Sequence, residues 1–144
     1  MRLRIKKLSD DATVPVYAYH GDAGCDLFSC SEVVLPPGGR AMVPTGLALA
    51  IPDGYAGFVQ PRSGLAAKHG VSVLNTPGLI DSKYRGEVCV ILVNLDPSQV
   101  YTVAKGEKIA QLVIQRVEEV DFDLVEELDE TARGVGGFGS SGRA

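Results

Sequence analysis

The chain has 144 residues, enough for one domain with a sizeable core, and 45% of them are hydrophobic against 22% charged. That balance excludes global disorder, and a formal net charge of −4 offers no basic surface for nucleic acid. No apolar run approaches the roughly 20 residues of a membrane helix, and the basic opening MRLRIKKLSDD lacks the apolar core of a signal peptide.

In chain order, short β-branched runs alternate with glycine and proline punctuation: RLRIK, SEVVL, RAMVPTGLALAI, YAGFVQ, VSVL, EVCVILVN, VYTV and KIAQLVIQRV. Short runs at turn-separated intervals predict an all-β sandwich or barrel. EVCVILVN, almost continuously apolar, predicts a strand buried on both faces. SGLAAKHG (63–70) predicts a short helix, with Ser63 as its N-cap and Gly70 as its stop. In EEVDFDLVEELDE (118–130), Val120, Phe122 and Leu124 alternate with acids, which predicts a half-buried strand with a solvated face. The run has no glycine for the sharp turn of a divalent-metal loop. Cys25, Cys30 and Cys89 form no CxxC pair, and their odd number suits a reducing, cytoplasmic setting. His20 and His69 add no zinc constellation and read as surface or packing residues.

Five segments carry chemistry. AGCDL (23–27) puts Asp26 at the start of a β run. PRSGLA (61–66) puts Arg62 and Ser63 where a strand gives way to the helix, and a helix start flanked by serine and arginine suits phosphate. Taken alone, it reads better as an ordinary serine cap beside a surface arginine. GLIDSKYRG (78–86) sets Asp81 in a turn with Tyr84 after it. GEKIAQLVI (106–114) places Gln111 inside an apolar strand, where a buried amide needs partners, structural or ligand.

The fifth segment is RGVGGFGSSG (133–142). Gly134, Gly136 and Gly139 fit GxGxxG, but a dinucleotide fingerprint needs a following helix and an acid about 20 residues on, and only five residues follow Gly139. Gly134 and Gly139 also bracket a Walker A spacing, with Ser140 where the lysine belongs. What both motifs share survives: glycines let backbone N–H groups converge on an anion. Arg133 adds a donor fork, Ser140 and Ser141 add hydroxyls, and Phe138 offers a ring to stack on a base. The plain alternative is a disordered terminus.

In this order the five segments, spanning residues 23 to 142, resemble the five motifs of the trimeric dUTPase family. The resemblance implies a jelly-roll-like distorted β-barrel or sandwich with one short helix, assembled as a homotrimer. Residues 1–132 would form the β domain and 133–144 its flexible lid. It implies Mg²⁺-dependent hydrolysis of dUTP to dUMP and pyrophosphate, which keeps uracil out of DNA and supplies dUMP for thymidylate synthesis. The partners are then dUTP and two further copies, with neither nucleic acid nor membrane.

By the same resemblance, Asp81 activates the water that attacks the α-phosphorus, and Gln111 sits beside it. An aspartate is ionised at neutral pH yet is a weak base, so positioning and charge stabilisation must supply much of the rate. Arg62, Ser63 and Gly64 would hold the phosphate chain, and Asp26 would meet Mg²⁺ through water. VSVLNTPGLI (71–80) resembles the hairpin that accepts uracil, with Asn75 making polar contacts and Gly78 and Ile80 beside it. Tyr84 would pack on the deoxyribose and exclude a 2′-hydroxyl. Arg133, Gly139, Ser140 and Ser141 would bind phosphates, Phe138 the uracil face, and the tail would reach a neighbouring subunit so that three chains build each site. Lys83 departs from the small or acidic residue common at its position and is expected to face solvent. Two rival readings stand beside this one. A dCTP deaminase of the same fold would need a glutamate on the strand after the third motif, and residues 88–94 hold no acid. A non-catalytic nucleotide-binding trimer would have lost Asp81, Gln111 or the tail.

Overall fold

The apolar runs become strands almost residue for residue in the computed structural model, which describes residues 1–137. The elements are β1 (Arg4–Lys7), β2 (Cys25–Phe28), β3 (Val33–Leu35), β4 (Arg40–Ala50), β5 (Tyr55–Gln60), α1 (Ser63–His69), β6 (Val71–Val73), β7 (Gly78–Ile80), β8 (Glu87–Asn94), β9 (Tyr101–Val103) and β10 (Lys108–Arg116). One four-stranded sheet has the order β1-β4-β8-β6 and the other β2-β10-β5-β7, with β3 and β9 as a separate ribbon. Every pairing is antiparallel. The sheets stay open, so the fold is a sandwich and not a closed barrel. Leu27 and Leu112 from one sheet, Val43, Val90 and Leu92 from the other, and Leu35 and Val103 from the ribbon share one core. Among the described residues no helix is long and apolar enough to cross a membrane.

Four local expectations are corrected. β8 is not buried on both faces: Val88, Val90 and Leu92 point to the core, while Cys89 and Ile91 are half-buried on the outer face. That outer face is apolar and runs on to Met42 of β4, which pairs with Ile91 and is 68% exposed. Composition made the strand look two-sided, and only the alternation is real. Arg62, in an extended conformation, is the N-cap of α1, so Ser63 is its first helical residue and makes no cap hydrogen bond. Gly70 does end the helix, with φ of 64° in the left-handed region that glycine favours. Residues 71–80 do not form a paired hairpin, because β6 belongs to the first sheet and β7 to the second. Their connection crosses between the open edges of the sandwich. Residues 118–130 form no strand: Phe122 is 94% and Leu124 is 99% exposed. A period-2 pattern makes a strand only where an edge pairs with it, and the described residues bring none.

Buried polar groups fix the frame. The Asn94 amide, fully buried, donates to the Leu35 carbonyl (3.1 Å) and the Gln99 carbonyl (2.8 Å) and accepts from Asp96 N–H (3.0 Å). It thereby ties β8 to β3 and to the loop that leads into β9. Between Pro44 and Ala48 the register of β4 shifts, and Gly46 there has φ of 68° with only 2.8 Å between an added Cβ and the Ala12 Cβ. No other residue fits that crossing.

Candidate functional site

β10 lies between β2 and β5, and Gln111 pairs in register with Asp26 on one side and Gln60 on the other. Directly opposed residues share a face, so these three polar side chains form a row on the outer face. Leu112, opposite Cys25 and Val59, turns into the core. Gly24 keeps the space over Gln111 open, since a Cβ there would stand 3.2 Å from the Gln111 Cβ.

Asp26 is only 3% exposed and makes two salt bridges. Lys108 Nζ lies 2.7 Å from its Oδ2 and Arg62 Nε 3.6 Å from its Oδ1. Arg62 also donates from Nη1 to the Lys108 carbonyl (3.0 Å). Ser63 and Gly64 follow, exposed on the first turn of α1, with nothing within 4 Å of a Cβ placed on Gly64. Lys108 was not singled out by the sequence. Plain alternation from Gln111 puts it on the opposite, core-facing side of β10. A bulge between Lys108 and Ala110 absorbs one residue and returns Lys108 to the face of Asp26.

Asp81, Tyr84, Asn75, Gly78 and Ile80 make a second group at the β7 edge. Asp81 opens a turn closed by Tyr84 N–H donating to its carbonyl (3.1 Å). Arg85 Nη1 braces that turn through the Ser82 carbonyl (2.6 Å) and the Tyr84 carbonyl (2.8 Å). Tyr84 donates its hydroxyl to the Glu87 carbonyl (2.9 Å). Asp81 and Tyr84 line a cleft of about 380 Å³ with Leu79, Cys89 and Met42. Beside it Asn75, Gly78 and Ile80 line a recess of about 60 Å³ against Val73 and Val90. Gly78 packs closely there, since an added Cβ would stand 3.3 Å from the Val59 Cβ. Lys83 is exposed.

Two other groups in the cleft are spoken for. Glu87 accepts from Gly46 N–H (2.8 Å). The Cys89 thiol is pushed above its ordinary value by burial first and by the Glu87 charge second, so it is an uncharged wall and not a nucleophile.

The two groups do not meet within one chain. Gln111 is level with Gln60 of β5, whereas Ile80, next to Asp81, is level with Gly57. Two strand spacings across the sheet and four residues along it separate Asp81 from Gln111 by roughly 16 Å. Arg133 joins neither group: its Nε donates to the Gly136 carbonyl (2.8 Å) within a local turn. Phe138, Gly139, Ser140 and Ser141 lie outside the described residues.

A divalent cation would find oxygen donors of the right chemistry in Asp26 and Gln111, but no group of three or more acidic, histidine or cysteine ligands among the described residues. With a cation already beside each of its oxygens, Asp26 fits a water-mediated contact and not direct ligation.

The sequence model of the dUTPase family matches residues 10–142. The chain belongs to the dUTPase family. A protein of Thermobifida fusca named deoxyuridine 5′-triphosphate nucleotidohydrolase is 55% identical over 99% of this chain and 79% of its own length. Among solved structures, the dUTPase of Staphylococcus bacteriophage 80alpha with dUpNHpp shares 33% identity, covers 99% of both chains and superposes with a TM-score of 0.92. A mutant dUTPase from phage phi11 of S. aureus, described as coordinating a structural Mg(II) ion, shares 30% identity over 88% of this chain and 98% of its own, with a TM-score of 0.83.

Proposed function

We propose that this dUTPase-family protein hydrolyses dUTP to dUMP and pyrophosphate by in-line attack of water on the α-phosphorus. The observation that carries the reading is the family match across residues 10–142 in a chain that keeps Asp81, Gln111 and the cationic surroundings of Asp26. Asp81, exposed and without an ion-pair partner among the described residues, takes the proton of the attacking water. The new oxygen bonds to phosphorus as the bond to the leaving pyrophosphate breaks. Gln111 orients the water and the α-phosphate, and Arg62, Ser63 and Gly64 hold the phosphate chain by charge and backbone donors. Asp26 would hold, through water, a Mg²⁺ brought in by the substrate phosphates, and that ion would supply positive charge for the leaving group. The recess at Asn75, Gly78 and Ile80 takes uracil, and Tyr84 covers the sugar. The residues from Arg133 onward close over the nucleotide as a lid, with Phe138 on the base and Gly139, Ser140 and Ser141 at the phosphates.

The site is completed only by a homotrimer. Three features support this: the separation of Asp81 from Gln111 in one chain, roughly 16 Å by strand spacing, the apolar outer face of exposed Met42 and half-buried Ile91, and the uncovered Phe122 and Leu124. Charge agrees, since the edge strand β1 sets Arg4 and Lys6 beside Arg85 around an open cleft, and residues 118–130 are acidic. The three free thiols are consistent with a reducing cytoplasm.

A nucleotide panel tests the chemistry. With Mg²⁺ the protein releases pyrophosphate from dUTP and much less from dTTP, dCTP or UTP. Equal turnover of all four ends the specificity claim, and ammonia from dCTP makes it a deaminase. Mixing chains that lack residues 133–144 with Asp81→Asn chains, each inactive alone, restores activity if sites are shared. No restoration confines each site to one chain.

A further inference from the structure

Asp26 has two cationic partners, and they are not equivalent. Lys108 Nζ is in close contact at 2.7 Å, whereas Arg62 Nε stands off at 3.6 Å. The bulge in β10 is what brings the lysine to this face, and its ammonium lies 5.9 Å above the Phe28 ring. The same residue steadies the arginine from behind, because the Lys108 carbonyl accepts from Arg62 Nη1. A guanidinium has five N–H donors, so this contact leaves most of them for another anion. The carboxylate of Asp26 is itself almost fully covered, with its side chain 5% exposed. A buried charge left without a counter-charge is strongly destabilising. If Arg62 were its only partner, a phosphate could recruit that guanidinium only by stranding Asp26.

We propose that Lys108 is a positioning residue: it is the standing counter-charge of Asp26 and so frees Arg62 for the substrate's phosphate chain. This rests on the dUTP reading of the site. It assigns the lysine no contact with the reacting atoms, and it explains why a bulge interrupts a strand that otherwise pairs regularly.

The test compares Lys108→Met, Lys108→Gln and the conservative Lys108→Arg in the full chain, by dUTP turnover and by binding of dUpNHpp and dUMP. Loss of the charge raises KM for dUTP and weakens dUpNHpp about 10- to 100-fold, while dUMP affinity and kcat change less than about threefold. Lys108→Arg stays within about threefold of wild type on every measure, since it keeps the charge. In an Asp26→Asn background, Lys108→Met adds little, because no carboxylate charge remains to be balanced. Lys108→Gln keeps an uncharged hydrogen-bond donor beside Asp26, so the charge is tested even where Lys108→Met does not fold. Unchanged dUpNHpp affinity, an equal loss for dUMP, or full additivity with Asp26→Asn overturns the proposal. A wild-type protein that releases no pyrophosphate from dUTP instead ends the reading beneath it; an active wild type with unaltered variants ends the Lys108 role alone.

Discussion

Asp81 and Gly86 do opposite kinds of work within six residues of each other. Asp81 is exposed and held only by its turn, so its side chain answers to substrate and not to the fold. Asp81→Asn keeps the shape and removes the proton acceptor; kcat falls about 10²- to 10⁴-fold while dUpNHpp still binds, as read by pyrophosphate release and calorimetry. Gly86 serves through what it lacks. A Cβ there would stand 2.6 Å from the Tyr84 Cζ, so the ring lies back over the glycine. Gly86→Ala pushes the ring aside at little cost to the fold, because the tip of a side chain can move. The expected outcome is an unchanged melting temperature, a rise in KM for dUTP of about 3- to 10-fold, and weaker discrimination against UTP. A melting temperature that drops with no kinetic change makes Gly86 a folding residue only.

At the scale of elements, the strands carry the hydrophobic load and a few buried polar side chains set how they meet. Asn94 shows this best, since one amide joins β3, β8 and the turn after β8. Asn94→Leu leaves the carbonyls of Leu35 and Gln99 without this donor, a loss of about 2–4 kcal/mol that a lowered urea midpoint reads directly. Bulges are the second device. The one in β4 makes room for Gly46 against Ala12, and the one in β10 turns Lys108 to Asp26. Neither is visible as a motif, because a bulge is a property of two strands paired and not of either alone.

For the whole molecule, the single chain leaves the wrong things exposed. Phe122 and Leu124 are in solvent, Met42 is two-thirds exposed, and the two halves of the candidate site lie apart on the sheet. The proposed homotrimer would resolve all three by covering apolar surface and joining the halves. Phe122→Ser with Leu124→Ser removes the apolar side chains of that segment while leaving its charge. Sedimentation then shows a weaker oligomer, and dUTP turnover falls with it as protein is diluted. A variant that stays fully assembled and active would show that the segment serves another purpose.

The sequence by itself marked most of the strands and the short helix with its Gly70 stop, and it singled out Asp26, Arg62, Asp81 and Gln111 as candidates. These are legible because alternation, helix stops and ordered motifs are local in the chain. It misjudged EVCVILVN, whose composition hides which face meets the core, and residues 118–130, whose strand pattern has no edge to pair with in this chain. Only the tertiary structure decided that Asp26 sits between two cations, that Lys108 is one of them, and that Asp81 stands apart from Gln111. Register, bulges and sheet order create those relations, and each depends on contacts between residues far apart in sequence.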